Sequence, residues 1–168
     1  MTAPIAVTGA SGYLGSRVLA TAAAGAVGIV RKVVSYLPVA GQVAIDLTSE
    51  GAGLSEAFAG VSTVVHLAGH NEVVAAQEPD RAMAETLAAT RHVTTAAVAA
   101  GVARLIYVST VHVYGSNLQP GAHIDETTTA SPTSPYAIAR LASEHLVAEA
   151  SEAGIDVVVF RLTNAVGA

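Results

Sequence analysis

Apolar residues in this chain follow two rhythms. Ile5-Ala6-Val7, Ala26–Val30, Val43-Ala44-Ile45-Asp46-Leu47, Val61–Leu67, Arg104–Ser109 and Val157–Phe160 are short runs, mostly β-branched, too brief for helices and suited to buried strands. Between them lie helical patterns. Ser16–Ala20 follows the first run, with Leu14, Val18 and Ala22 on one face, and Leu54–Phe58 makes a short helix. Pro79–Ala100 carries Met83, Leu87, Thr90, Val93, Ala97 and Val98 at packing intervals and stops at Gly101, and Tyr136–Ala153 closes at Gly154. Ala68-Gly69 breaks the fourth strand, Val33–Gly41 is a connection of unassigned character, and Val111–Pro135 is a long, turn-rich segment of the kind that carries function. This alternation predicts an α/β, doubly wound parallel sheet with ligands at the carboxyl ends of its strands.

A length of 168 residues, 52% of them apolar, suits one domain over residues 1–168. The charged fraction of 12% and mean hydropathy of +0.52 raise the question of a membrane segment, but Leu19–Val30 is too short to span and holds two glycines. With no basic, apolar and cleavable leader, a cytoplasmic protein is expected. The absence of cysteine excludes disulfides and thiolate chemistry. A net charge of -5 and a pI near 5.6 argue against nucleic-acid and anionic-membrane partners. His66, His70, His92, His112, His123 and His145 show no ligand spacing, so no metal site is expected, and His66 reads as a packing residue.

Thr8-Gly9-Ala10-Ser11-Gly12-Tyr13-Leu14-Gly15 lies where the first strand turns into the first helix. There Gly9 supplies a conformation a Cβ would penalise, Gly12 lets backbone amides approach a diphosphate, and Gly15 lets helix and strand pack closely. The unpaired amides of the helix start then face the anion. Arg31, at the end of the second strand, is placed to meet the adenine ribose, where a basic residue accommodates a 2′-phosphate, so NADP(H) is favoured over NAD(H). Ser109-Thr110 follow the fifth strand and Tyr136 opens a helix. A hydroxyl holding a carbonyl oxygen and a phenol passing a proton suit hydride transfer, and Arg140, one turn beyond Tyr136, brings a charge that favours phenolate. Glu144 is four residues past Arg140, so a surface ion pair is the competing role for that arginine.

In order along the chain, Thr8–Gly15 matches T-G-x-x-G-x-x-G, Asp46-Leu47 an adenine-contacting D-L, and His66-Leu67-Ala68-Gly69 the pattern H-L-A-[AG]. Ser109–Gly115 matches S-[ST]-x-x-V-Y-G, Ser134-Pro135-Tyr136 begins S-P-Y-x-x-x-K, and Arg161–Gly167 looks like R-x-x-N-V-Y-G. In these motifs the chain resembles the extended short-chain dehydrogenase/reductases, the epimerase/dehydratase family. That resemblance implies a Rossmann fold in which Ser11, Gly12, Tyr13, Leu14, Leu67, Ala68 and Gly69 join Gly9, Arg31, Asp46 and Leu47 at the cofactor. It also implies that Thr110 is the catalytic hydroxyl and Tyr136 the acid/base, with Tyr136 and Arg140 touching the cofactor too. Arg140 stands where the family has lysine, and Thr86 where it has asparagine. Asp125-Glu126 resembles the family's D-E and reads as a loop brace.

Two functions remain open. One is an NAD(P)-dependent oxidoreductase, epimerase or dehydratase of a carbonyl or sugar-like small molecule. The other is a catalytically impaired dinucleotide-binding subunit or regulatory module that needs a partner chain. The sequence stops at Ala168, where chains of the resembling family continue into a substrate lobe, so that lobe is expected to be missing and the last strand uncovered. A homodimer through the helices Pro79–Ala100 and Tyr136–Ala153, as in that family, or a complementing subunit is expected to follow.

Overall fold

The computed structural model describes residues 4–22, 25–37, 41–49 and 53–163. Strands β1 (Ile5–Thr8), β2 (Val27–Val30), β3 (Gly41–Ala44), β4 (Thr63–His66), β5 (Arg104–Thr110) and β6 (Asp156–Leu162) form one sheet in the order β3-β2-β1-β4-β5-β6, with every pairing parallel. The helices are α1 (Tyr13–Thr21), α2 (Leu54–Ala57), α3 (Glu72–Gln77), α4 (Pro79–Ala100) and α5 (Pro135–Ala148). Tight 3₁₀ turns at Val111–Asn117 and Glu149–Ala153 complete the described elements. This is the doubly wound arrangement, in which the order reverses beside β1 and leaves a crevice at the strand ends.

Alternation along each strand divides the core. Ala6, Ile29, Val64, Leu105 and Tyr107 face one side, where they pack with Val93, Ala96 and Ala97 of α4 and Val147 of α5. Their neighbours Val7, Val30 and Val65 face the other side, against Leu19 of α1. On that second side Phe160, paired with Val108, is 49% exposed.

Several boundaries differ from the sequence expectation. The third strand ends at Ala44; the Ile45 N–H still reaches the Val30 carbonyl at 2.9 Å, and Asp46 and Leu47 lie in the turn beyond, which the Asp46 carboxylate closes onto the Thr48 N–H. Strands β5 and β6 run on to Thr110 and Leu162, each extension paired with the other. The last helical stretch changes to 3₁₀ geometry after Ala148, and α3 was not anticipated. On α4, Ala82, Thr86 and Ala89 are buried, Met83 and Leu87 only half buried, and Val98 is 38% exposed. On α1 the deepest residues are Gly15 and Leu19. Asn164 to Gly167 of the last motif lie outside the described residues. Among the described residues, no helix is long and apolar enough to cross a membrane, and no three His, Asp or Glu side chains gather as metal ligands.

Candidate functional site

The glycine turn is built by backbone contact. Gly9 adopts φ +67°, and the Gly12 N–H donates to the Gly9 carbonyl at 2.9 Å. A Cβ on Gly15 would overlap that same Gly9 carbonyl and the Ala10 backbone, so only glycine allows α1 to start this close to β1. The first turn of α1 has neither a capping side chain nor an acidic residue. The positive end of the helix dipole therefore meets no carboxylate of its own first turn.

A cavity of about 270 Å³ opens above this turn, lined by Gly9, Ser11 and Gly12 and by Arg31 at the end of β2. Asp46 and Leu47 beyond β3, and Leu67, Ala68 and Gly69 beyond β4, complete its predicted wall. Asp46 closes its own turn by accepting from the Thr48 N–H (2.9 Å) and hydroxyl (2.8 Å). Those bonds, the backbone one first, hold its carboxyl below the usual range, with Arg31 adding to the effect. His92 Nδ1–H donates to the Leu47 carbonyl at 2.9 Å, tying this wall to α4. The sequence reading missed His70 and Glu85, which line the same cavity and meet at 2.6 Å.

A second cavity, of about 380 Å³, adjoins at Leu67 and is lined by Leu14, Thr110, Tyr136 and Arg140. Thr110 ends β5 and accepts the His112 N–H at 3.2 Å. Ser134 caps α5 by accepting the Ala137 N–H, with Pro135 at the first helical position, and this sets Tyr136 in the opening turn. Arg140 follows one turn on, its Cζ 5.2 Å from the Tyr136 ring centroid. His112 meets the same ring edge-on and pairs with Glu72 at 3.5 Å. Tyr13 lies outside both linings, its ring under the Arg17 guanidinium.

The competing surface pair between Arg140 and Glu144 is not formed, and neither residue is at the surface. Ala137, Arg140, Glu144 and Val147 share the buried face of α5, and their spacing was the available signal. Glu144 is held by Arg161 of β6, whose Nε and Nη2 donate at 3.1 and 2.7 Å, and by the Ser109 hydroxyl at 2.5 Å. The Glu144 bond, first among the causes, raises the Arg161 pKa, and the Arg161 guanidinium lies 4.8 Å over the Tyr114 ring. The Tyr114 hydroxyl donates to the Asp125 carbonyl, so Asp125 does brace the long loop.

Behind both cavities, His66 is fully buried. Thr90 gives its hydroxyl hydrogen to the Thr86 carbonyl, so His66 Nε2–H donates to Thr90 (3.2 Å) and Nδ1 accepts from Thr8 (2.6 Å). Burial, then the charge of Arg140, pushes its pKa down to about 3 from 6.5. The unfolded chain takes up a proton on His66 below pH 6.5, and the folded chain refuses it until about pH 3. The contribution to stability is therefore full above pH 6.5 and falls as the pH drops towards 3. Urea unfolding between about pH 7 and 4 is expected to show this loss, and His66→Asn to flatten it. Equal slopes for both proteins would refute the assignment.

No curated protein matches the chain by sequence. Among solved structures, the chain is similar to MoeE5 in complex with UDP-glucuronic acid and NAD, at 27% identity and a TM-score of 0.81, covering 94% of this chain and 54% of that one. It is also similar to a short-chain dehydrogenase/reductase superfamily protein from Agrobacterium tumefaciens with bound NAD (30% identity, TM-score 0.80, 94% of this chain and 48% of that one). A third is DesIV, a dTDP-glucose 4,6-dehydratase from Streptomyces venezuelae with NAD and TYD bound (26%, TM-score 0.82, 94% and 55%). The chain thus spans about half the length of the solved structures it matches. The sequence profile of the NAD dependent epimerase/dehydratase family matches residues 5–168, from the first strand to the last residue, and the chain belongs to that family.

Proposed function

We propose that the chain is the dinucleotide-binding and proton-transferring part of an NADP(H)-dependent oxidoreductase, epimerase or dehydratase acting on a carbonyl or sugar-like substrate. The observation that carries this reading is the meeting of two cavities at Leu67, one over the glycine turn and one holding Thr110, Tyr136 and Arg140. The residues present fit a dinucleotide: the turn has no room for a Cβ, and the uncapped start of α1 suits a diphosphate. When bound, the nicotinamide supplies the hydride donor or acceptor. Thr110 holds the substrate oxygen, Tyr136 moves the proton between that oxygen and its phenol, and Arg140 supplies positive charge beside the phenol.

The similar structures named with a dinucleotide carry NAD, which supports a nicotinamide cofactor. Arg31 at the cavity wall supports the phosphorylated form. Thermal shift with NADPH, NADP, NADH and NAD tests this. At about 100 times Kd the preferred pair is expected to add about 2.7 kcal/mol, and Arg31→Asp to abolish the preference for the phosphorylated pair. An equal response of the unaltered chain to all four would refute NADP preference, and no response at all would refute dinucleotide binding.

A second reading, a binding module without turnover, is favoured by the buried seat of Arg140, whose donors face Tyr107 and the His70 carbonyl. Dinucleotide binding without turnover of nucleotide-sugar substrates would support it, and turnover by the isolated chain would defeat it. In either reading a second copy or a complementing subunit covers the open side at Phe160, and a monomeric mass in solution would refute that cover.

A further inference from the structure

We infer that Tyr107 is a positioning residue for the candidate centre: its buried hydroxyl seats the Arg140 guanidinium and so fixes where positive charge stands beside Tyr136. The role in proton transfer rests on the function proposed above, whereas the seat itself does not.

Tyr107 is fully buried in the middle of β5, level with His66 on β4 and Val159 on β6. A buried phenol needs a hydrogen-bond partner, and Tyr107 receives the Nη1–H of Arg140 at 3.4 Å. Arg140 is itself 7% exposed, and its bonding is sparse for a buried cation. Nη2 donates to the His70 carbonyl at 3.5 Å, and Nε has no partner. The nearest carboxylate in its own helix, Glu144, is occupied by Arg161 and Ser109.

Gly69 closes the seat from above. A Cβ there would stand 3.1 Å from both Nη atoms, and its φ of +146° is itself one that side chains rarely adopt. The guanidinium therefore lies between the Gly69 backbone, the Tyr107 hydroxyl and the Tyr136 ring. Below it, the His66 ring stands 5.5 Å from the Tyr107 ring and stays neutral, so no second cation competes. Lysine could reach this region with its single ammonium, but it could not span both Tyr107 and His70 as a fork.

The test is Tyr107→Phe in the full chain, which keeps the ring and removes the acceptor. The Arg140 Nε–H signal in nitrogen-15 NMR, assigned by its loss in Arg140→Lys, is expected to exchange with solvent about tenfold faster. With a turned-over nucleotide-sugar, kcat is expected to fall about tenfold while KM for the dinucleotide moves less than about twofold. Unchanged exchange in the folded variant overturns the seat. Faster exchange with unchanged kcat overturns the positioning role. If the chain turns over nothing, the proposed function fails while the exchange measurement still decides the seat. Should Tyr107→Phe not fold, fluorine NMR of 3-fluorotyrosine-labelled chain reads the same contact: Arg140→Lys must shift the Tyr107 resonance, and an unmoved resonance overturns the inference.

Discussion

Tyr136→Phe is expected to lower turnover by about a hundredfold or more, the usual worth of a positioned acid/base, while dinucleotide affinity changes less than about twofold. Phenylalanine retains the ring, so the edge contact from His112 and the Arg140 charge over the face keep their partner. The cap from Ser134 uses the Ala137 backbone and is untouched. Only the hydroxyl proposed to carry the proton disappears from the second cavity. The first cavity, where the glycine turn and Arg31 lie, contains no atom of Tyr136. Steady-state rates with a nucleotide-sugar, followed by nicotinamide absorbance, together with dinucleotide titration, check both halves. Retained turnover would remove Tyr136 from the chemistry, and a large loss of affinity would make it a binding residue instead.

Glu144→Ala is expected to cost about 1–3 kcal/mol of stability, because it removes a buried acceptor and leaves a part-buried arginine without its partner. The carboxylate is 7% exposed and satisfies Arg161 twice and Ser109 once, joining α5 to the ends of β5 and β6. Removal leaves Arg161 beside the Tyr114 ring without its counter-charge and Ser109 without an acceptor. Since Ser109 precedes Thr110, activity is expected to fall along with stability. Glu144→Gln keeps an acceptor for Ser109 and is expected to lose less. Urea unfolding at neutral pH measures the difference, and a cost below about 1 kcal/mol would show that the pair contributes little to the fold.

Much of the fold was legible along the chain. The bounds of α4 follow from Pro79 and Gly101, and the glycine turn lies between a strand and a helix as its spacing implies. Asn71 followed by Glu72 was a readable start for α3, since the Asn71 side chain accepts the Val74 N–H. It was obscured by the short length of that helix. The burial of Val98 on α4 was misjudged because periodicity names a face but not how far the neighbouring helix extends over it.

The candidate site divides in the same way. Gly9, Gly12 and Gly15 were readable from the clearance their turn demands, and residue type and spacing singled out Thr110, Tyr136 and Arg140, which line one cavity. The partners of those residues were not. Arg140 and Glu144 look like a helical ion pair in one dimension, yet parallel pairing sets Arg161 level with Ser109, and Glu144 turns to them. Tyr107 is one more apolar position in a strand until the sheet and α5 bring its hydroxyl to the guanidinium. Periodicity and local sterics act within a few residues, so the sequence alone determined the elements, their order and the glycine turn. Which buried charge meets which acceptor depends on groups brought together from β4, β5, α5 and β6, and only the tertiary structure decided it.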